Sequence, residues 1–134
     1  MQKLLPYFFT FFIVALLSTL LFGSEPAESF PRLTNEQFAK KIKDKKNCVL
    51  VDVRTPNEFK AGHISGAINI NVKDSADFAS KIAKLDKKKI IALYCKGGIR
   101  SNMAAHKLLA DNYKVVDLAK GIDNWNGETV KEED

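Results

Sequence analysis

The sequence predicts one α/β domain with a parallel sheet and helices on both of its faces. Two observations lead to this fold class. Short apolar runs rich in β-branched residues alternate along the chain with segments that carry helix caps and helical apolar spacing. Residues 48–53 and 90–94 are nearly continuous apolar runs, which is typical of parallel strands covered on both faces. With 134 residues, the chain has room for one ordinary domain.

The first half of the domain carries clear start and stop signals. Residues 32–33 are a brief edge strand, and Thr34 with Gln37 forms a capping box for a helix that buries Phe38 and Ile42. After the strand at 48–53, a second short helix is capped in the same way. Its signals are Thr55 as N-cap, Pro56 at the first position, Glu58 to complete the box and Gly62 as the end.

The second half continues the alternation. Residues 67–72 are a predicted strand, and Asp74 or Ser75 caps a helix with its apolar face towards the core. The strand at 90–94 leads into a helix that starts near Arg100 and is expected to bury Met103, Ala104 and Leu108. Asn112 suits the left-handed position after that helix. A last strand at 115–118 and a turn at 121–125 precede a polar tail, 127–134, that is expected to fray.

Residues 1–24 are a separate unit, predicted to be a signal peptide or an N-terminal membrane anchor. Lys3 precedes an uncharged run, 4–23, that is rich in Phe and Leu and reaches the roughly 20 residues needed to span a bilayer. Cleavage and retention both stay open. Either outcome places the domain in the periplasm or another exported location, with membrane contact only if the leader is retained. Residues 25–31 are a polar linker.

The formal charge of +5 comes from 21 basic and 16 acidic residues. These charges are mixed along the sequence, and the aromatic residues outside the leader do not alternate with basic ones. The pattern indicates a mild preference for small anions and argues against nucleic acid as a partner.

A cysteine loop carries the predicted chemistry. Cys95 follows the apolar strand, Gly97 and Gly98 allow the backbone to curl around its sulfur, and Arg100 opens the next helix. The helix start, Lys96 and Arg100 would favour the thiolate form of Cys95. Inward-facing N–H groups can hold a thiolate, a persulfide or a bound oxyanion. The sequence therefore predicts a cysteine-centred anion site.

Three motifs in order give the chain a family resemblance. They are Asp52-Val53-Arg54 with Glu58-Phe59, Gly62-His63-Ile64, Gly66-Ala67 and Asn69-Ile70; then Tyr94 to Ser101; then Leu118 to Trp125, in which Lys120 replaces a frequent glycine. On these motifs residues 32–126 resemble the single-domain rhodanese family of sulfurtransferases. The resemblance implies a five-stranded parallel sheet with flanking helices and no cofactor.

The resemblance also implies a mechanism. Cys95 would take the outer sulfur of thiosulfate or another sulfane donor, become a persulfide, and pass the sulfur to a thiol, cyanide or a protein acceptor. The backbone amides of Lys96, Gly97, Gly98, Ile99 and Arg100 would hold the persulfide. A carrier or sensor module with little thiosulfate turnover is the alternative. Phosphatase chemistry is disfavoured, because Arg100 follows Cys95 by five residues and leaves a ring better suited to sulfur than to phosphate.

The other cysteine, the histidines and three charged residues are expected to have structural roles. Cys48 lies at the entry of its strand and Cys95 past the exit of another, so the two are expected about 15 Å apart, too far for a disulfide. His63 is expected to bond backbone in a turn and His106 to lie at the surface, and no metal site is predicted. Asp52, Arg54 and Glu58 are expected to brace the loop as an ion pair and a cap.

Overall fold

Five strands pair in parallel in the computed structural model of this chain, which describes residues 29–133. Together with a separate two-stranded pair, the described residues form seven strands: β1 (Arg32–Leu33), β2 (Cys48–Asp52), β3 (His63–Ile64), β4 (Ile68–Asn69), β5 (Ile90–Tyr94), β6 (Lys114–Leu118) and β7 (Thr129–Val130). The helices are α1 (Asn35–Ile42), α2 (Pro56–Ala61), α3 (Ser75–Ile82) and α4 (Ile99–Ala110), with a 3₁₀ turn at Ile122–Asn124. The main sheet runs β1-β6-β5-β2-β4, and β3 and β7 form a separate antiparallel pair.

Helices cover both faces of the main sheet, as the sequence predicted. Phe78 and Ile82 of α3 and Leu108 of α4 belong to the apolar core on one face. Phe38 of α1 belongs to the core on the other face, where it is completely buried. Strands β2, β5 and β6 contribute to both cores, because successive side chains point to opposite faces.

The caps of the helices confirm the sequence signals. Thr34 accepts a hydrogen bond from the Gln37 N–H, and the Gln37 side chain accepts one from the Thr34 N–H. Thr55 and Glu58 form the same reciprocal arrangement at the start of α2. Asp74 caps α3. Each of the three helices before the cysteine loop therefore begins at a capping residue that the sequence predicted.

The register of the central strands separates the two cysteines. In the β2–β5 pair Cys48 lies opposite Ile90, and Cys95 comes five residues after Ile90. Both cysteines are free, as expected. Cys48 is buried in the core, and burial raises the pKa of its thiol. Cys48 is therefore a core residue at the end of the sheet away from Cys95.

Two expectations about chain segments were wrong. The strand expected at 67–72 is shorter, Ile68–Asn69, because it is an edge strand that leaves the ladder after two residues. Beyond it, the Ile70 N–H still donates to the Asp52 carbonyl, but the pairing is irregular. The tail does not fray at Thr129–Val130, which pairs with His63–Ile64. That partner lies far away in sequence, so local composition could not reveal it.

The expected burial of Met103 was also wrong. Its side chain is 54% exposed, whereas Ala104 and Leu108 are buried as predicted. The buried stripe of α4 runs through Ser101, Ala104, Ala105 and Leu108 at helical spacing. Met103 lies outside this stripe, on the solvent side of the helix.

The fold separates charges that are mixed along the sequence. Eight lysines precede or begin β2, β5 and β6, at the amino ends of these strands: Lys43, Lys45, Lys46, Lys84, Lys87, Lys88, Lys89 and Lys114. Among the residues that the structure describes, none of them pairs with a carboxylate. Cys95 lies at the opposite end, about 20 Å from Lys89 along β5. This lysine group therefore adds little to the local field at the cysteine loop.

Phe38→Ala should destabilise the protein by about 3–5 kcal/mol, because the ring is fully buried and its removal leaves a cavity. Met103→Ala serves as the control and should change the free energy of unfolding by less than about 0.5 kcal/mol. Chemical denaturation of both variants measures the difference. Similar losses in both would contradict the assignment of Met103 to the solvent side.

Candidate active-site loop

The cysteine loop joins the carboxyl end of β5 to the start of α4. Cys95 directly follows the strand, and Gly98 is the N-cap residue of α4. The Gly98 N–H donates a hydrogen bond to the Cys95 sulfur across 3.1 Å. The side chain of Cys95 is 1% exposed. The helix start thus presents an N–H group and the positive end of its dipole to this sulfur.

Gly98 is required by both conformation and space. Its φ of 103° lies in the left-handed region, which L side chains rarely adopt. A Cβ on Gly98 would lie 2.2 Å from the carbonyl oxygen of Ala119. The reversal that aims the Gly98 N–H at the sulfur therefore needs glycine at this position.

The segment after β6 holds the loop from outside. The Ile122 N–H donates to the Cys95 carbonyl across 2.9 Å, and the Asp123 N–H donates to the Lys96 carbonyl across 3.1 Å. Gly121 permits this approach, because a Cβ there would lie 2.2 Å from the Lys96 carbonyl oxygen. The third sequence motif, Leu118 to Trp125, therefore holds the cysteine loop through backbone hydrogen bonds.

Lys96 and Arg100 are both engaged by carboxylates. The Lys96 ammonium lies 2.9 Å from both oxygens of Asp123. Arg100 forms a bidentate pair with Glu58, with N–O distances of 2.8 and 2.9 Å. The Arg100 hydrogen bonds hold the pKa of Glu58 well below its usual range, and this pairing raises the pKa of Arg100. Both cations that were expected to favour the thiolate form of Cys95 therefore also have a carboxylate partner.

Asp52 and Arg54 brace the neighbouring strand end, as the sequence indicated. Both are buried, and their shortest N–O distance is 2.7 Å. Arg54 also donates to the Gly62 carbonyl, which ties β2 to the end of α2. The Tyr94 hydroxyl accepts from the Ile64 N–H and fixes β3 beside the loop. The expected structural role of Asp52, Arg54 and Glu58 agrees with these contacts, although the Glu58–Arg100 pair was not foreseen.

His106 lies at the surface as expected and His63 bonds backbone as expected, but His63 lies in strand β3 and not in a turn, because it pairs with Val130, a partner remote in sequence. His63 Nδ1 lies 2.8 Å from the Phe59 carbonyl, and its ring stacks on Phe59. His106 is exposed on α4 and meets the ring of Phe30 edge-on. Neither histidine hydrogen-bonds the Cys95 sulfur in the described part of the chain. The structure therefore supplies no reason to make either one a base.

The predicted site residues, 95–100, form the cysteine loop and the first two residues of α4. Cys95 and Gly98 are buried, Arg100 is half-buried, and Lys96, Gly97 and Ile99 face solvent. Ile99 is 77% exposed, which is unusual for a large apolar side chain. Sequence reasoning missed Arg32, which donates to the Gly98 carbonyl across 2.8 Å, and its partner Asp117. Both belong to strands whose sequence carries no motif for the loop.

These features define a class: parallel α/β domains with a buried cysteine held at a helix start beyond a central strand. The chain belongs to the rhodanese-like domain family, whose profile matches residues 34–128. The sulfur-transfer chemistry of this family agrees with a cysteine as the central residue of the loop. The family resemblance that the three sequence motifs indicated is confirmed, and so is the predicted fold class.

Two curated relatives carry sulfur-related names. The "Putative sulfur carrier protein YrkF" of Bacillus subtilis is 31% identical over 108 residues, covering 80% of this chain and 57% of that protein. A sulfurtransferase of Allochromatium vinosum is 28% identical over 94 residues, covering 69% of this chain and 85% of that protein. The chain thus spans little more than half the length of YrkF.

A solved structure shows the same fold. The rhodanese-related protein of Thermoplasma volcanium superposes with a TM-score of 0.67 at 27% identity, covering 77% of this chain and all of that one. Within residues 29–133, no helix is long and apolar enough to cross a membrane. The predicted leader at 1–24 lies outside the described residues.

Gly98→Ala should destabilise the protein by at least about 2 kcal/mol, because alanine disfavours the left-handed φ and its Cβ would meet a backbone oxygen. Gly97→Ala is the matched control, since a Cβ there meets nothing within 4 Å. Thermal unfolding of the two variants gives the comparison. Equal melting temperatures would show that the loop does not depend on the Gly98 conformation.

Glu58→Gln should cost about 1–2 kcal/mol of unfolding free energy at neutral pH, because it removes the charge of a half-buried bidentate pair. The pKa of Glu58 is depressed in the folded state, so this stabilisation is complete above the ordinary value of 4.5 and is lost progressively as pH falls below it. Denaturation at several pH values measures the gap between wild type and variant.

Glu36→Gln is the control for that experiment, since Glu36 forms an exposed pair with Lys40. It should change stability little at any pH. A gap for Glu58→Gln that stays constant down to pH 3 would contradict the ionic origin of the stabilisation.

Proposed function

We propose that the protein is a sulfurtransferase that moves sulfane sulfur from thiosulfate or a similar donor to a thiol or cyanide through a Cys95 persulfide. The observation that carries this proposal is the Gly98 N–H, 3.1 Å from the Cys95 sulfur at the start of α4. An N–H donor and a helix dipole favour an anionic sulfur over a neutral one. Membership of the rhodanese-like family supports sulfur transfer as the reaction class.

The proposed loading step needs no general base. The Cys95 thiolate attacks the outer sulfur of thiosulfate, a new S–S bond forms, and the S–S bond of the donor breaks with its electron pair leaving on sulfite. The products are a persulfide anion on Cys95 and the sulfite dianion, so the charge balances without a proton. The step therefore needs no histidine as a proton acceptor or donor.

The proposed unloading step returns the cysteine to its first state. A thiolate or cyanide attacks the outer sulfur of the persulfide, and the electron pair of the breaking S–S bond returns to Cys95. The amides of residues 96–100 would hold the persulfide between the two steps. The first helical N–H groups of α4 suit this role, because they have no partner within the helix.

A sulfur carrier with little thiosulfate turnover is the second candidate, and the ion pairs favour it. Lys96 and Arg100 are held by Asp123 and Glu58, so the attraction for a dianionic donor is reduced. Ile99 presents an exposed apolar side chain beside the loop, a surface suited to a protein-bound sulfur donor. The name of the relative YrkF points the same way.

The exported location remains part of this proposal. Lys3 and the uncharged run 4–23 support delivery across the cytoplasmic membrane, with the domain either released or anchored. Mass spectrometry of the protein recovered from cells would give its N-terminal residue. A cytoplasmic protein that still starts at Met1 would contradict export.

Cys95→Ser should reduce cyanide-dependent thiocyanate formation to background, because serine cannot form the persulfide. Cys48→Ala is the matched control and should keep the wild-type rate if it folds, since Cys48 is a core residue at the far end of β2. The assay uses thiosulfate and cyanide with purified full-length chain. Thiocyanate formation by Cys95→Ser would exclude the proposed mechanism.

The same proteins distinguish the two candidates. Rapid thiocyanate release by the wild type supports the transferase. A mass gain of one sulfur atom on Cys95, measured after exposure to a small persulfide and without turnover of thiosulfate, supports the carrier. Absence of both results would overturn the two candidates together.

A further inference from the structure

Arg32 joins the edge strand β1 to the cysteine loop. Its Nη2 donates to the Gly98 carbonyl across 2.8 Å and to the Ala119 carbonyl across 3.2 Å. Its Nε donates to the Asp117 carboxylate across 3.0 Å. One guanidinium therefore connects β1, the end of β6 and the start of α4. The fixed fork of arginine suits such a set of acceptors.

Asp117 holds this guanidinium from inside the protein. Its carboxylate is completely buried, and burial raises the pKa of Asp117, whereas Ser101 and Arg32 lower it. One oxygen of Asp117 and the hydroxyl of the neighbouring Ser101 form no hydrogen bond of good geometry among the described residues. A buried carboxylate with one bonded oxygen is costly. The hydrogen bond from Arg32 partly offsets this cost.

The contact with Gly98 reaches the sulfur through the backbone of one residue. The Gly98 residue that accepts from Arg32 also donates its N–H to Cys95. The Gly98 carbonyl and the Ile99 N–H belong to one trans peptide, in which the two groups point in opposite directions. Because Arg32 binds the carbonyl, the Ile99 N–H points away from Arg32. Ile99 is the first residue of α4, and its N–H has no partner within the helix.

We infer that Arg32, held by Asp117, is a positioning residue that fixes the Gly98 and Ile99 N–H groups for an anionic sulfur on Cys95. This inference rests on the proposed function and adds to it a residue outside the loop and outside the three motifs. This role requires no contact between Arg32 and the substrate. The pair acts from behind the loop, through the backbone of Gly98.

A purely structural brace would behave differently from a positioning residue. Loss of a brace lowers stability and exposes Cys95 at every pH. Loss of positioned donors removes an interaction that favours an anionic sulfur, so it slows the reaction of Cys95 near neutral pH and leaves the rate unchanged at high pH. The pH dependence of thiol reactivity therefore separates the two roles.

The experiment measures iodoacetamide alkylation of Cys95 in the full-length chain by mass spectrometry, which resolves it from Cys48. Arg32→Gln should react about fivefold more slowly than wild type at pH 7, as expected for the loss of one oriented hydrogen bond, and equally fast at pH 10. Arg32→Lys should remain slow at pH 7, because an ammonium lacks the fork that reaches all three acceptors. Lys81→Gln, which breaks an exposed pair with Asp77, should react like wild type.

Asp117→Asn tests the pair without removing the arginine. It should slow alkylation at pH 7 in the same direction, and the double variant with Arg32→Gln should be no slower than Arg32→Gln alone, because both changes act through one contact. A wild-type rate at pH 7 in folded Arg32→Gln or Arg32→Lys would overturn the inference. So would an equal change at pH 7 and pH 10, or the failure of both single variants to fold.

Alkylation also separates this inference from the proposed function, since it requires no sulfur donor. A wild type without sulfur transfer, together with the pH-dependent slowing in Arg32→Gln, would overturn the proposed function and keep the positioning role. Normal alkylation in Arg32→Gln with active wild type would do the reverse.

Discussion

The reversal of the backbone at Gly98 is the constraint on which the site depends. It turns the chain from the end of β5 into α4 within three residues of Cys95 and aims an N–H at the sulfur. The left-handed φ and the close Ala119 carbonyl leave no room for a side chain. Hydrogen bonds from Arg32 to Gly98, and from Ile122 and Asp123 to the two residues before Gly97, support this reversal.

The electrostatic design of the domain follows from the same geometry. Around the loop, Arg32, Lys96 and Arg100 each meet a carboxylate, whereas the lysine group lies at the amino ends of the strands. That lysine group is therefore separated from Cys95. In the proposed function, stabilisation of an anionic sulfur depends on backbone donors at short range, such as the Gly98 N–H.

The sequence predicted the candidate site well wherever the chemistry is local. Thr34, Thr55 and Asp74 capped the helices where expected, because a cap is satisfied by a backbone N–H only a few residues away. Residues 95–100 formed one loop, because they are contiguous. Met103 was misplaced, because a helix face is set by what packs against it and not by the apolar character of one residue.

The sequence by itself determined the order of the helices and of the main-sheet strands, the family, and the cysteine loop, since apolar runs, caps and glycines act over a few neighbouring residues. Only the tertiary structure decided which carboxylate meets which cation, that Arg32 reaches Gly98 from 66 residues away, and that the tail pairs with β3. Strand order brings these partners together, and no local pattern encodes a contact between two edge segments. The chemistry around the sulfur therefore has a local core and a surrounding support that depends on the fold.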